Sequence, residues 1–163
     1  MTDLVRDTLT VDRSTPDEIW SVVLDAGALA RVLPGCESLT DQGAGRFAGV
    51  LATRLGSLTL RADVTASLLE AERPRHLRLS IQGRPRSVVG SFSADVPFDL
   101  QADGDATRVS YAVDLGVTGR LASFGLPLLR EVFRRQVAAL VANLGQELAR
   151  RRSSVGVVGE GGR

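Results

Sequence analysis

The residues with scope for chemistry are few. Cys36 is the only cysteine and His76 the only histidine. A thiolate nucleophile needs a base beside it, and His76 stands in Arg73-Pro74-Arg75-His76, which reads as an exposed turn. One Cys and one His are also too few for a Cys/His zinc site, which takes four ligands. Asp103-Gly104-Asp105 has the look of a calcium-loop fragment, but the remaining ligands are missing and the composition is that of a hairpin turn. Gly43, Gly45, Gly116 and Gly119 do not form a phosphate-binding loop between a strand and a helix. Tyr111 and Asp114 remain as acid or base candidates, and alternation with Val113 and Leu115 turns Asp114 outward. No catalytic constellation and no metal site is therefore expected.

Composition narrows the rest. The chain has 163 residues, 44% of them hydrophobic, enough for one domain with a sizeable core. All 20 basic residues are arginine, and against 19 acidic residues they leave a formal net charge of +1. A dedicated nucleic-acid binder normally carries a clear basic excess, so that class is excluded. A single cysteine allows no internal disulfide and suits a reducing compartment. No run approaches the roughly 20 apolar residues of a membrane span, and the segment from Met1 to Arg6 lacks the basic-then-apolar order of a secretory signal. A cytoplasmic protein is expected, with any membrane contact peripheral.

The elements that must position these residues follow from periodicity. Leu4 to Arg13 alternates as a half-buried strand, with Val5, Leu9 and Val11 on one face. Thr15-Pro16-Asp17-Glu18 is a helix start with a capping box, and Ile19, Trp20, Val23 and Leu24 supply its apolar face. Asp25 can cap a second short helix carrying Leu29, Val32 and Leu33, which Pro34-Gly35 ends. From Cys36 to Val117 a series of alternating segments (46–55, 57–69, 76–82, 88–100 and 107–117) is separated by short turns, which implies antiparallel neighbours. A long helix is predicted from Leu126 to Arg151, about 40 Å at 1.5 Å per residue. Its apolar stripe contains Leu129, Val132, Phe133, Val137, Leu140, Val141, Leu144 and Leu148. Residues 1–152 then form one domain and the glycine-rich 153–163 a flexible tail. The fold class is α+β: a curved antiparallel sheet of about six to seven strands wrapped around the long final helix, the helix-grip arrangement.

Ile19-Trp20 together with Leu29-Ala30-Arg31-Val32-Leu33-Pro34-Gly35-Cys36-Glu37-Ser38-Leu39 resembles the carbon monoxide dehydrogenase CoxG family of the START-like superfamily. Gly119-Arg120-Leu121-Ala122-Ser123-Phe124-Gly125, entering the last helix, adds to the likeness. The resemblance implies a small accessory protein for a molybdenum hydroxylase of the carbon monoxide dehydrogenase type. Such a protein would help the enzyme associate with the inner face of the cell membrane and would hold a quinone, menaquinone-like, in an internal cavity. Two departures from the family pattern stand out: the tail after the last helix is short, and Pro127 lies at that helix's start, which sets Leu121–Phe124 apart as a possible separate turn. START-like relatives also include cyclases and hydratases, which would need inward-facing acids or bases. A docking factor with no ligand is the third reading.

With few aromatics and inward positions that are largely Ala, Val, Leu and Gly, the space between sheet and helix is either an apolar cavity or ordinary core. The expected walls are Leu29, Val32 and Leu33 from the short helices, Phe92, Phe98, Val113, Leu115 and Val117 from the sheet, and Leu121, Phe124, Leu128 and Val132 from the last helix. A register slip of one residue would exchange the sheet positions for their neighbours. Gly35 and Cys36 form either a functional rim or a helix stop with a small buried thiol. Arg130, Arg134 and Arg135, with Arg150, Arg151 and Arg152, make a basic outer helix face, either for anionic lipid or an acidic partner or simply solvated.

Overall fold

The computed structural model describes the backbone of residues 2–161 and the side chains of residues 5–153. Strand β1 (Thr2–Val11) leads into helices α1 (Pro16–Val23) and α2 (Ala26–Val32). Six further strands follow: β2 (Cys36–Gly43), β3 (Arg46–Leu55), β4 (Leu58–Glu72), β5 (His76–Pro85), β6 (Gly90–Asp103) and β7 (Ala106–Gly119). A 3-10 turn, Arg120–Phe124, precedes helix α3 (Leu126–Gly161). The sheet is one seven-stranded antiparallel array in the order β1-β7-β6-β5-β4-β3-β2, so β1 closes back on β7 while β2 is the far edge. This is the helix-grip architecture.

The local signals explain the short helices. Thr15 Oγ1 accepts the Glu18 amide at 3.2 Å and Glu18 Oε1 accepts the Thr15 amide at 2.9 Å, a complete capping box. Asp25 caps α2 by accepting the amides of Gly27 and Ala28. Both helices are pinned to α3: Arg152 donates to Glu18 at 3.0 Å, and Asn143 Nδ2 donates to the Val32 carbonyl at 2.9 Å. Pro127 does not interrupt α3. It sits in the first turn, where the missing N–H has no intrahelical acceptor to lose, and the 3-10 segment is a separate turn ending at Gly125. The helical backbone runs on past Arg151, and the expectation of a tail over 153–163 falls largely on side chains outside the described residues.

Several strands run past the alternating segments: β4 reaches Glu72, β5 Pro85, β6 Asp103 and β7 Gly119. Asp41-Gln42-Gly43 has the composition of a turn, yet β2 extends to Gly43 and the reversal is made at Ala44 and Gly45, both with positive φ. Gly83-Arg84-Pro85 is likewise strand, because the ladder pairs all three with β4. Composition marks both as loops, and cross-strand pairing overrides it.

His76 is a further correction. It opens β5 with its side chain 21% exposed, Nε2 at 2.9 Å from Glu70 Oε1 and Nδ1 at 2.9 Å from Asp99 Oδ1. Glu70 foremost, and Asp99 after it, raise the imidazole above its ordinary value. A raised folded-state pKa contributes stability that is complete below about pH 6.5 and fades as pH climbs through the folded value. Titrating the single histidine by NMR is expected to give a midpoint above 6.5, falling back in Glu70→Gln. A wild-type midpoint at or below 6.5 would refute this pairing of the ring with two carboxylates.

Candidate functional site: the concave face of the sheet

Directly paired residues share a face of the sheet, so the buried residues under α3 identify the inner face of every strand. Val117 is paired with Phe92, Phe92 with Gly83, and Gly83 with Val64. Leu115 pairs with Ala94, which pairs with Ile81 and on to Ala66 and Phe47. The β7 end of these rows is fully covered: Val113, Leu115 and Val117 are buried. The β3–β5 end is not, since Leu51, Val64, Ala66, Leu68, Leu79 and Ile81 are only half-buried. The reason is the path of α3. It lies along β1, where Gly145 meets Val11, and reaches β3 only near Arg54, whose carbonyl accepts from Arg135 at 3.4 Å. Half of the concave face is therefore an apolar trough that the helix leaves partly uncovered.

Phe92 floors this trough. Its ring lies across Gly83, where a Cβ would overlap the ring atoms. The shape of the floor thus depends on a missing side chain on the neighbouring strand. At the rim, Thr53, Thr59, Arg135 and Gln136 surround a solvent-open hollow of about 330 Å³ between β3–β4 and α3. A second hollow, about 370 Å³, lies on the outer side of the sheet with Arg6, Thr8, Asp99 and Ser110 at its walls.

The expected wall residues divide into groups. Val32, Val113, Leu115, Val117, Leu121 and Val132 come together in the main core, with Leu29, Phe92, Phe98 and Phe124 partly buried against it. Leu33 is half-buried outside that cluster. Leu128 is not brought into that cluster: it is 37% exposed in the first turn of α3. It shares a helix face with Val132 one turn on, but at the start of α3 too little packs against it to bury it. Sequence reasoning misses the half-covered residues of β3–β5. The alternation through Val64, Ala66 and Leu68 is visible, but not that α3 stops short of them.

The charged candidates also fall into place. Asp114 is exposed on the outer face, as alternation requires, while Tyr111 is buried on the inner face. Arg134 is half-buried, with Nη1 3.7 Å from Oε2 of the exposed Glu131 on the same helix. Arg135 is exposed, but it is turned to the rim of the trough through its bond to Arg54. Cys36 is half-exposed, its Sγ donating to the Ser38 carbonyl at 3.4 Å, and burial pushes the thiol up, away from the reactive thiolate. Gly35 turns the chain at φ +72° against Ala52. Among the described residues no group of three or more His, Cys, Asp or Glu is placed to hold a metal ion. No helix among them is long and apolar enough to cross a membrane.

The family model for CoxG, a family named for carbon monoxide dehydrogenase, matches residues 9–149. The chain belongs to the CoxG family. Solved structures share the CoxG chain's fold at low identity. A conserved protein from Geobacillus kaustophilus has 20% identity, with 92% of this chain and 96% of that one covered, at a TM-score of 0.81. The Zhui aromatase/cyclase from a Streptomyces species has 18% identity over 93% and 96% of the two chains, at a TM-score of 0.67. A Mycobacterium smegmatis protein has 12% identity over 91% and 92%, with a TM-score of 0.67. No curated protein matches the chain in sequence.

Proposed function

We propose that this protein binds an apolar small molecule, a quinone or lipid-like species, in the trough between β3–β6 and α3, without catalysing a reaction on it. The observation that carries this reading is the half-covered apolar inner face, where Val64, Leu79 and Ile81 are only half-buried. Apolar surface on a concave, partly covered face gains most from a ligand that completes its burial. Membership of a family named for carbon monoxide dehydrogenase supports a partner of that kind; on this reading the ligand is carried on behalf of a carbon monoxide dehydrogenase-type molybdenum hydroxylase, in the cytoplasm, with peripheral contact at the inner face of the cell membrane. A menaquinone-like quinone fits that context.

Native mass spectrometry, before and after incubation with a short-chain menaquinone, tests the reading. An adduct of several hundred daltons that vanishes on denaturation is expected. Ala66 stands on the inner face between Phe47 and Ile81, and Ala66→Trp fills the trough. This variant is expected to lose the adduct while melting within a few degrees of wild type. Undiminished uptake by a folded Ala66→Trp variant would move the ligand elsewhere, and no uptake by wild type, with co-purification of a large molybdo-flavoenzyme, would favour docking without a ligand.

A further inference from the structure

Tyr111 is 4% exposed and its hydroxyl is the single buried side-chain N or O atom without a hydrogen-bond partner among the described residues. It stands on the inner face of β7, opposite Asp7 of β1 and Phe98 of β6, with the Phe98 ring centroid 6.0 Å away. Its inner-face neighbours along β7, Val109 and Val113, are buried and apolar. Asp7 and Arg134 are near enough to act on the hydroxyl electrostatically, yet neither bonds it.

An unpaired buried hydroxyl costs about 1–3 kcal/mol. Phenylalanine would fill the same space without that cost, so packing alone does not account for the oxygen. Phe98 stands between Tyr111, in the filled half, and the trough: it is inner-facing and half-buried, and the half-buried Leu79 of the trough is its diagonal neighbour on β5, two residues from its direct partner Leu77. A ligand seated against Phe98 brings its buried end towards the phenol. The phenol oxygen shares its lone pair with the ring, which makes the group a better donor than acceptor.

We propose that the Tyr111 hydroxyl is the specificity-determining donor of the trough, selecting apolar ligands that carry a carbonyl oxygen at their buried end. This inference rests on the ligand-binding reading above and adds to it the chemical class that is preferred. The approach of a ligand gives the orphaned donor its partner in a water-poor setting, where an unmatched ligand leaves it unpaired.

Two fluorescent probes test this on the full chain. Prodan is a naphthalene dye with one ketone, whose emission moves to the red when that ketone accepts a hydrogen bond. N-phenylnaphthylamine is of similar bulk and has no carbonyl. Tyr111→Phe is expected to weaken prodan binding about tenfold, equivalent to about 1.4 kcal/mol, and to shift bound prodan to the blue. N-phenylnaphthylamine affinity and the melting temperature of the unliganded protein should stay as in wild type or rise slightly. Equal prodan affinity and colour in both proteins would overturn the donor while leaving the trough intact. A wild type that binds neither dye would overturn the trough and the donor together. A Tyr111→Phe variant that melts several degrees lower would show that the hydroxyl already has a structural partner, and the proposal would fall.

Discussion

Replacing Gly35 with alanine is expected to lower the midpoint of thermal unfolding by roughly 6–12 °C, corresponding to about 3 kcal/mol for a chain of this size. Two costs combine. Gly35 sits at φ +72°, which charges any residue with a Cβ about 1–2 kcal/mol. In addition, the Cβ would overlap the Ala52 carbonyl oxygen, a backbone atom that cannot swing aside. That contact is part of how the α2–β2 corner seats on β3, since the Ala52 amide donates to the Gly35 carbonyl at 2.8 Å. Relieving the overlap would break this bond and move Pro34, whose carbonyl accepts from Gln136 of α3 at 3.4 Å. Gly56 is the control: it has φ +64° with nothing within 4 Å of a built Cβ. Gly56→Ala should therefore cost about 1 kcal/mol, the conformational part alone. Equal melting temperatures for the two variants would show that the contact with Ala52 contributes nothing.

This corner shows what the sequence carries and what it omits. Leu33-Pro34-Gly35-Cys36 bears the family resemblance, and its most stringent residue serves packing: Gly35 lets the chain turn flat against β3. The architecture is legible because its signals are local, namely the capping box at Thr15, the period of two in β4 and β7, and the apolar stripe of α3. β2 is hard to delimit because it is an edge strand with shifts in its register and an exposed, non-alternating pattern. The site is legible only in part. Periodicity assigns a residue to a face but not the degree to which that face is covered, which depends on where α3 crosses the sheet. Hence Val113 and Val117, which periodicity offers as ligand contacts, lie in the filled half, while Val64, Leu79 and Ile81 lie in the open half. The pairing of His76 with Glu70 and Asp99 is hidden for a similar reason: cross-strand register decides it.

Glu147→Gln is expected to cost about 2 kcal/mol at neutral pH, lowering the melting midpoint by roughly 4–8 °C. Glu147 is 5% exposed on α3, and its carboxylate accepts from Arg31 of α2 at 3.0 Å, from Arg150 at 2.6 Å and from Arg151 at 3.1 Å. The Arg31 bond, then Arg150 and Arg151, hold the carboxyl down at about 2, well below its ordinary 4.5. Breaking a fully buried ion pair costs about 3–5 kcal/mol; the figure here is smaller because the three guanidiniums keep 50%, 64% and 37% exposure and so retain much of their hydration. Glutamine keeps an acceptor oxygen but removes the charge, which leaves three cations facing one another. The sign with pH follows from the depressed value. The contribution is complete above about pH 4.5, the unfolded value, and is lost as pH falls towards about 2. The difference in stability between wild type and Glu147→Gln, followed by chemical denaturation, should accordingly be flat from pH 7 down to about 5 and shrink below it. A difference unchanged at pH 3 would mean that shape, and not charge, joins α2 to α3 here.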